Sequence, residues 1–160
     1  MRPVPVVYLE TSVFGFFYDE EPRNALRREA VVALLQQVRT GMLRGVTSPV
    51  TLDEIGRTPE PLRSRLLVLL EDVQTMDAAR QEAERMAQAY VADGAVPDEY
   101  IDDARHVAYA TVGRVDVLVT LNLRHMANEW AERRIGAVNL REGYDVLRIR
   151  TPEEVLEYED

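Results

Sequence analysis

The sequence predicts an α/β domain whose central sheet is mostly parallel and flanked by helices, and two observations predict it. Short apolar runs recur at Val4 to Leu9, around Val46, at Val73 to Met76, within Asp116 to Thr120 and at Asp145 to Arg150. Between them lie longer stretches whose apolar residues repeat at helical spacing, the alternation that builds a parallel sheet covered on both faces. A chain of 160 residues can bury roughly two-thirds of its unfolded surface in one core, and no repeat or linker divides it, so residues 1–160 read as a single domain.

Val4 to Leu9 has the β-branched, apolar character of a buried strand and ends at Glu10-Thr11-Ser12, where hydroxyls are placed to cap the next helix. Asn24 to Arg39 sets Ala30, Val31, Leu34, Leu35 and Val38 on one helical face, and Gly41 and Gly45 break the pattern before the strand at Val46. Ser48 or Pro49 opens a helix through Ile55. Thr58-Pro59-Glu60-Pro61 stops it and starts another, whose run Leu66 to Leu70 is expected in the core. Asp77 is a candidate cap for an Ala-rich helix to about Ala92, and Asp93 to Pro97 reads as a loop. Asp98 to Val112 reads as a helix ended by Gly113, and Asp116 as a cap or turn before its strand. A helical stretch is expected from His125 to Arg134. Thr151-Pro152-Glu153-Glu154 then has the hydroxyl, first-turn proline and glutamate of a capping box.

The 46% hydrophobic and 29% charged fractions are those of an ordinary soluble protein. No apolar run approaches the roughly 20 residues of a membrane span, and the first residues lack a signal-peptide pattern. A cytoplasmic protein with no membrane partner is expected. With no cysteine, any metal must be held by oxygen or imidazole, which favours hard divalent cations. The net charge of −9 argues against nonspecific adhesion to nucleic acid. All 19 basic residues are arginine, the better bidentate partner for phosphate, with local clusters at Arg23, Arg27 and Arg28, at Arg57, Arg63 and Arg65, and at Arg133 and Arg134.

Four polar positions stand at strand ends or on inward helix faces: Glu10, Glu54, Asp103 and Asn122. On the helical wheel Asp103 lies at the margin of the stripe formed by Ala104, Val107, Ala108 and Thr111, whereas Asp102 falls opposite it. Glu54 lies toward Val50, Thr51 and Ile55, and Asp53 away from them. Gathered carboxylates raise one another's pKa unless a cation joins them; the competing reading gives each acid its own arginine or helix cap. His106 and His125 invite an acid–base reading, but they are expected to be a surface residue and a helix-start contact. Tyr8, Phe14, Phe16, Phe17 and Tyr18 are expected to pack in the core or at a dimer face rather than to stack bases.

Three segments, in this order, resemble the PIN-domain family of metal-dependent ribonucleases, many of them toxins of bacterial toxin–antitoxin pairs. They are Tyr8-Leu9-Glu10-Thr11-Ser12-Val13, Asp103-Ala104 with Ala108, and Val119-Thr120-Leu121-Asn122 with Arg124-His125. The resemblance spans most of the chain. It implies a three-layer PIN-like domain in which Glu10, Glu54, Asp103 and Asn122 hold Mg2+ or Mn2+, with Ser12 and Thr120 as supporting hydroxyls. It further implies hydrolysis of RNA phosphodiester bonds and an antitoxin protein covering the acidic cleft. Glu10 stands where that family usually has Asp, and Asn122 where it commonly has an acid. The alternative is a noncatalytic module of the same fold that binds RNA or a partner protein. Val13 to Tyr18 could serve an antitoxin contact or a homodimer. No G-x-G-x-x-G or Walker loop points to nucleotide binding.

Overall fold

The computed structural model describes residues 3–157, and over that span the architecture is three-layer α/β. Its strands are β1 (Val6–Leu9), β2 (Arg44–Thr47), β3 (Gln74–Thr75), β4 (Val117–Val119) and β5 (Ile149–Arg150). They form one sheet in the order β3-β2-β1-β4-β5, and every pairing among them is parallel. The helices are α1 (Thr11–Phe17), α2 (Ala25–Arg39), α3 (Pro49–Gly56), α4 (Leu62–Leu69), α5 (Arg80–Ala92), α6 (Ile101–Val112), α7 (Glu129–Arg141) and α8 (Pro152–Glu157). None of the described helices is long and apolar enough to cross a membrane.

The period-two alternation of the strands sorts the core into two halves. Tyr8, Val46, Leu118 and Ile149 pack with residues of α5, α6 and α7, whereas Val7, Leu9 and Val119 pack with residues of α1, α2 and α8. Chain order reverses at β1, which has β2 on one side and β4 on the other. In open parallel sheets a cleft forms beyond the strand carboxyl ends at such a reversal, and Glu10 is the first residue past β1. Its backbone N–H donates to the Val119 carbonyl at 3.1 Å, and the Thr47 hydroxyl donates to the Leu9 carbonyl at 2.8 Å. The end of β1 is therefore fixed from both neighbouring strands.

Several local expectations are corrected. The hydroxyls of Thr11 and Ser12 cap nothing: α1 starts directly after Glu10 with no side-chain cap, because both hydroxyls turn toward carboxylates. The aromatic run forms α1 itself and buries Val13 and Phe14. Of the leucine run only Leu66 is buried, while Leu67 and Val68 are exposed, since a helix with one covered face cannot bury consecutive residues. Asp77 is not a cap; α5 begins at Arg80 behind Ala79. The helix expected from His125 begins at Glu129 instead, where the Asn128 side chain accepts from the Ala131 N–H at 2.8 Å, and it continues to Arg141. Asp116 takes the expected turn role, accepting from the Val6 N–H at 2.7 Å. The capping box forms as read: the Thr151 N–H donates to Glu154 Oε1 at 3.0 Å and the Glu154 N–H to Thr151 Oγ1 at 3.3 Å.

Gly45 lets α2 approach the sheet, because a Cβ there would stand 2.8 Å from Val38 Cγ1 and 3.3 Å from Leu9 Cδ1. Val38 is branched and buried and has little room to yield. Gly45→Ala is therefore expected to destabilise the fold by about 1–3 kcal/mol through overpacking, read as a lower urea midpoint with an unchanged slope; an unchanged midpoint would show that β2 and α2 are not tightly apposed.

Candidate metal centre

Segments far apart in sequence meet in the cleft between β1 and β4. Glu10 is 6% exposed and uses one carboxylate oxygen for anchorage: Oε1 accepts from the Ser12 hydroxyl at 2.5 Å and the Thr120 hydroxyl at 2.6 Å. Those hydroxyls in turn accept backbone N–H groups of the loop after β4, Ser12 from Leu121 at 2.9 Å and Thr120 from Asn122 at 3.0 Å. Each hydroxyl thus donates to the acid and accepts from the loop, which fixes the carboxylate and leaves Oε2 turned into the cleft. There it faces His106 Nε2 at 3.9 Å, beyond hydrogen-bond length.

Glu54 reaches the same point from α3, a helix started by Pro49 and by the Ser48 side chain, which accepts from the Val50 N–H at 3.3 Å. Its Oε1 also carries two bonds, from His106 Nε2 at 2.6 Å and from the Thr11 hydroxyl at 2.8 Å. Burial pushes the Glu54 carboxyl up, but the bonds and charges of His106, Thr11 and Arg57 outweigh that and hold it below the usual carboxylate range. Asp53 points away and is exposed, as the helical wheel indicates.

His106 is fully buried at the floor of this cleft, which overturns its reading as a surface residue. Ala104 and every residue from His106 to Thr111 are buried, so α6 is enclosed well beyond its small-residue stripe. The Tyr8 hydroxyl lies 2.7 Å from His106 Nδ1 and 2.6 Å from the Ser48 hydroxyl. Burial pushes the Tyr8 hydroxyl far up, so it remains a neutral hydrogen-bonding group. Burial pulls His106 down, yet Glu54, Glu10 and Asp103 outweigh it and the net direction is up. The sequence does hold a signal for His106. Tyr8 lies in a buried strand and its hydroxyl needs a partner, and His106 is one helical turn beyond Asp103.

Asp103 and Asn122 meet at the rim. The Asn122 side-chain N–H donates to Asp103 Oδ2 at 3.2 Å, and Asn122 Oδ1 accepts from the His125 N–H at 3.1 Å. Here Asn122 is the arm that holds Asp103 against the cleft. Burial raises the Asp103 carboxyl to about 6, the Glu10 and Glu54 charges add to the rise, and His106 and His125 oppose it. Asp102 is turned outward to Arg57 at 3.5 Å and Arg105 at 3.0 Å.

Ligand atoms of Glu10, Glu54 and His106 all lie within 4.8 Å of one another, so these three could hold a metal ion, and Asp103 is near enough for the charges of all three to act on it. The donor set fits a divalent cation. Glu10 and Glu54 each have one oxygen tied down and the other unspent, and buried like charges at this separation are costly without a cation between them. No protein-family model matches the chain, and no curated protein matches its sequence.

The Asp103 shift carries a stability consequence. A carboxyl raised from 3.8 to about 6 on folding penalises the native state above pH 6, and the penalty is relieved as pH falls toward 4. With chelator present, Asp103→Asn is expected to melt higher than wild type at pH 7, by about 1–2 kcal/mol once solvent screening is allowed for, with the gap closing by pH 4. Parallel melting curves across that range would contradict this environment for Asp103.

Proposed function

We propose that the chain is a divalent-metal-dependent endoribonuclease of PIN type, acting as the toxin of a toxin–antitoxin pair. The observation that carries the nuclease reading is the meeting of Glu10 and Glu54 with His106, from three separate elements and with ligand atoms within 4.8 Å of one another, beside an Asp103 that feels the charges of both acids. These are the acids named by the resemblance, and Ser12 and Thr120, its supporting hydroxyls, bind Glu10 directly. The toxin role, and with it an antitoxin partner, comes from the resemblance.

Glu10, Glu54 and Asp103 would hold the cation through carboxylate oxygens, which suit Mg2+ or Mn2+, while His106 stays bonded to Glu54 and positions it. When bound, the ion supplies an activated water and neutralises charge on the phosphate during in-line displacement. The chain's own groups prepare the site. Ser12 and Thr120 keep Glu10 in one rotamer, and His106 and Thr11 do the same for Glu54. Tyr8 in turn orients the His106 ring, as outer partners of ligating groups do. Arg57 lies near enough to Glu54 to lower its pKa and is exposed for contact with the RNA backbone, offsetting part of the chain's negative field. Its sequence neighbour Arg63 is committed to Glu60 at 3.0 Å.

The direct test is cleavage of a mixed RNA pool by wild type, Asp103→Ala and Glu54→Gln with Mg2+, with Mn2+ and with chelator. Metal-dependent cutting by wild type is expected, with a loss of two orders of magnitude or more in either variant. Tyr8→Phe, which removes only the hydroxyl behind His106, is expected to weaken metal dependence by about 10-fold. No cutting by folded wild type under any metal would replace this reading with the noncatalytic binding module.

A further inference from the structure

On the Asp103 side of the cleft, a stacked aromatic pair stands that the metal centre does not use. Tyr100 ends the short 3-10 turn Asp98–Tyr100 leading into α6, three residues before Asp103. His125 follows Asn122 in the loop after β4. Their rings stack with centroids 4.1 Å apart and planes inclined by 29°. The His125 N–H binds the Asn122 side chain that holds Asp103, and its ring is close enough to act on the Asp103 charge. Tyr100 is the outer member, 37% exposed, and exposed Leu123 and Arg124 continue the same rim.

We propose that Tyr100, backed by His125, is a stacking shelf for the nucleobase next to the scissile phosphate of single-stranded RNA, with Arg124 meeting the backbone. The inference rests on the ribonuclease reading and adds to it the residues that position the substrate. Single-strand sites combine aromatic faces with a cationic track, and stacking accepts any base because each has a π face. The chemistry suits this chain in particular. A protein of net charge −9 cannot gather RNA by its overall field, so contact at the cleft must come from stacking and from local cations such as Arg124. A shelf adjoining the ligand-holding Asn122 would place the base and present the neighbouring phosphate to the acids. A duplex keeps its bases stacked on one another and does not offer a free face.

The test is steady-state cleavage of a single-stranded RNA, its duplex, and single-stranded copies with one abasic site moved along the chain. The enzymes are wild type, Tyr100→Ala, Tyr100→Trp and Arg124→Ala. The shelf predicts that Tyr100→Ala raises KM about 10-fold with kcat unchanged, the scale of one stacked base, while Tyr100→Trp stays near wild type. In wild type an abasic site beside the cut should raise KM similarly, and in Tyr100→Ala it should add nothing. Arg124→Ala should raise KM and reduce its salt dependence. A fall in kcat at constant KM in Tyr100→Ala would mean that the ring merely props Asn122, and an unchanged KM would mean that no base rests there. Either result overturns the shelf while leaving the nuclease reading intact. Equal cleavage of duplex and single strand would also overturn it. Wild type that cuts no RNA removes both.

Discussion

The contact between His106 and Glu54 is the constraint on which the rest of the site depends. It joins α6 to α3 across the mouth of the sheet at 2.6 Å, and it is the point where Tyr8 and Ser48 from below and Thr11 from the side become one network. Removing either member would leave the other charged group in a partly dry environment, which is far more costly than losing a surface pair. Because Glu54 spends one oxygen on this contact, its other oxygen is committed to the cleft. Glu10 obeys the same rule through Ser12 and Thr120.

Such an arrangement is poor for stability on its own account. Glu10 is nearly sealed from water, Asp103 carries a carboxyl raised to about 6, and a single imidazole is the nearest compensating group. The sheet bears this strain because the acids sit at its carboxyl ends, beyond the last paired residues, while Tyr8, Leu9, Leu118 and Val119 beneath them are fully buried. Like charge concentrated in one place, with Glu10 and Glu54 each anchored through one oxygen, is the cost that the proposed cation would relieve.

Much of this was legible in the sequence. The strand read over Asp116 to Thr120, found at Val117–Val119, and the capping box at Thr151 to Glu154 follow from local rules that tertiary packing has no reason to override. The placement of the three acids was also readable, because Glu10 follows directly on the first strand and helical phase separates Asp103 from Asp102 and Glu54 from Asp53. His106 was readable only indirectly, through the Tyr8 hydroxyl that needs a partner, since its burial arises from how far α5 and the sheet enclose α6, and a wheel drawn for one helix does not contain its neighbours. The leucine run misleads for the converse reason. Hydrophobicity alone does not say that only one face of α4 is covered. The start of α7 was set by the Asn128 side chain, which accepts from the Ala131 N–H and donates to the Leu123 and Arg124 carbonyls, a signal weaker in the sequence than the apolar pattern preceding it.

The measurement that tests the central claim most directly is Mn2+ binding by wild type and Glu10→Gln at pH 7, followed through the electron paramagnetic resonance signal of the free ion. Capture of Mn2+ by wild type, strongly reduced in Glu10→Gln although that variant keeps the shape of the side chain, is the predicted result. A free-ion signal undiminished by wild type, or equal capture by both proteins, would contradict a metal centre at the ends of β1 and β4.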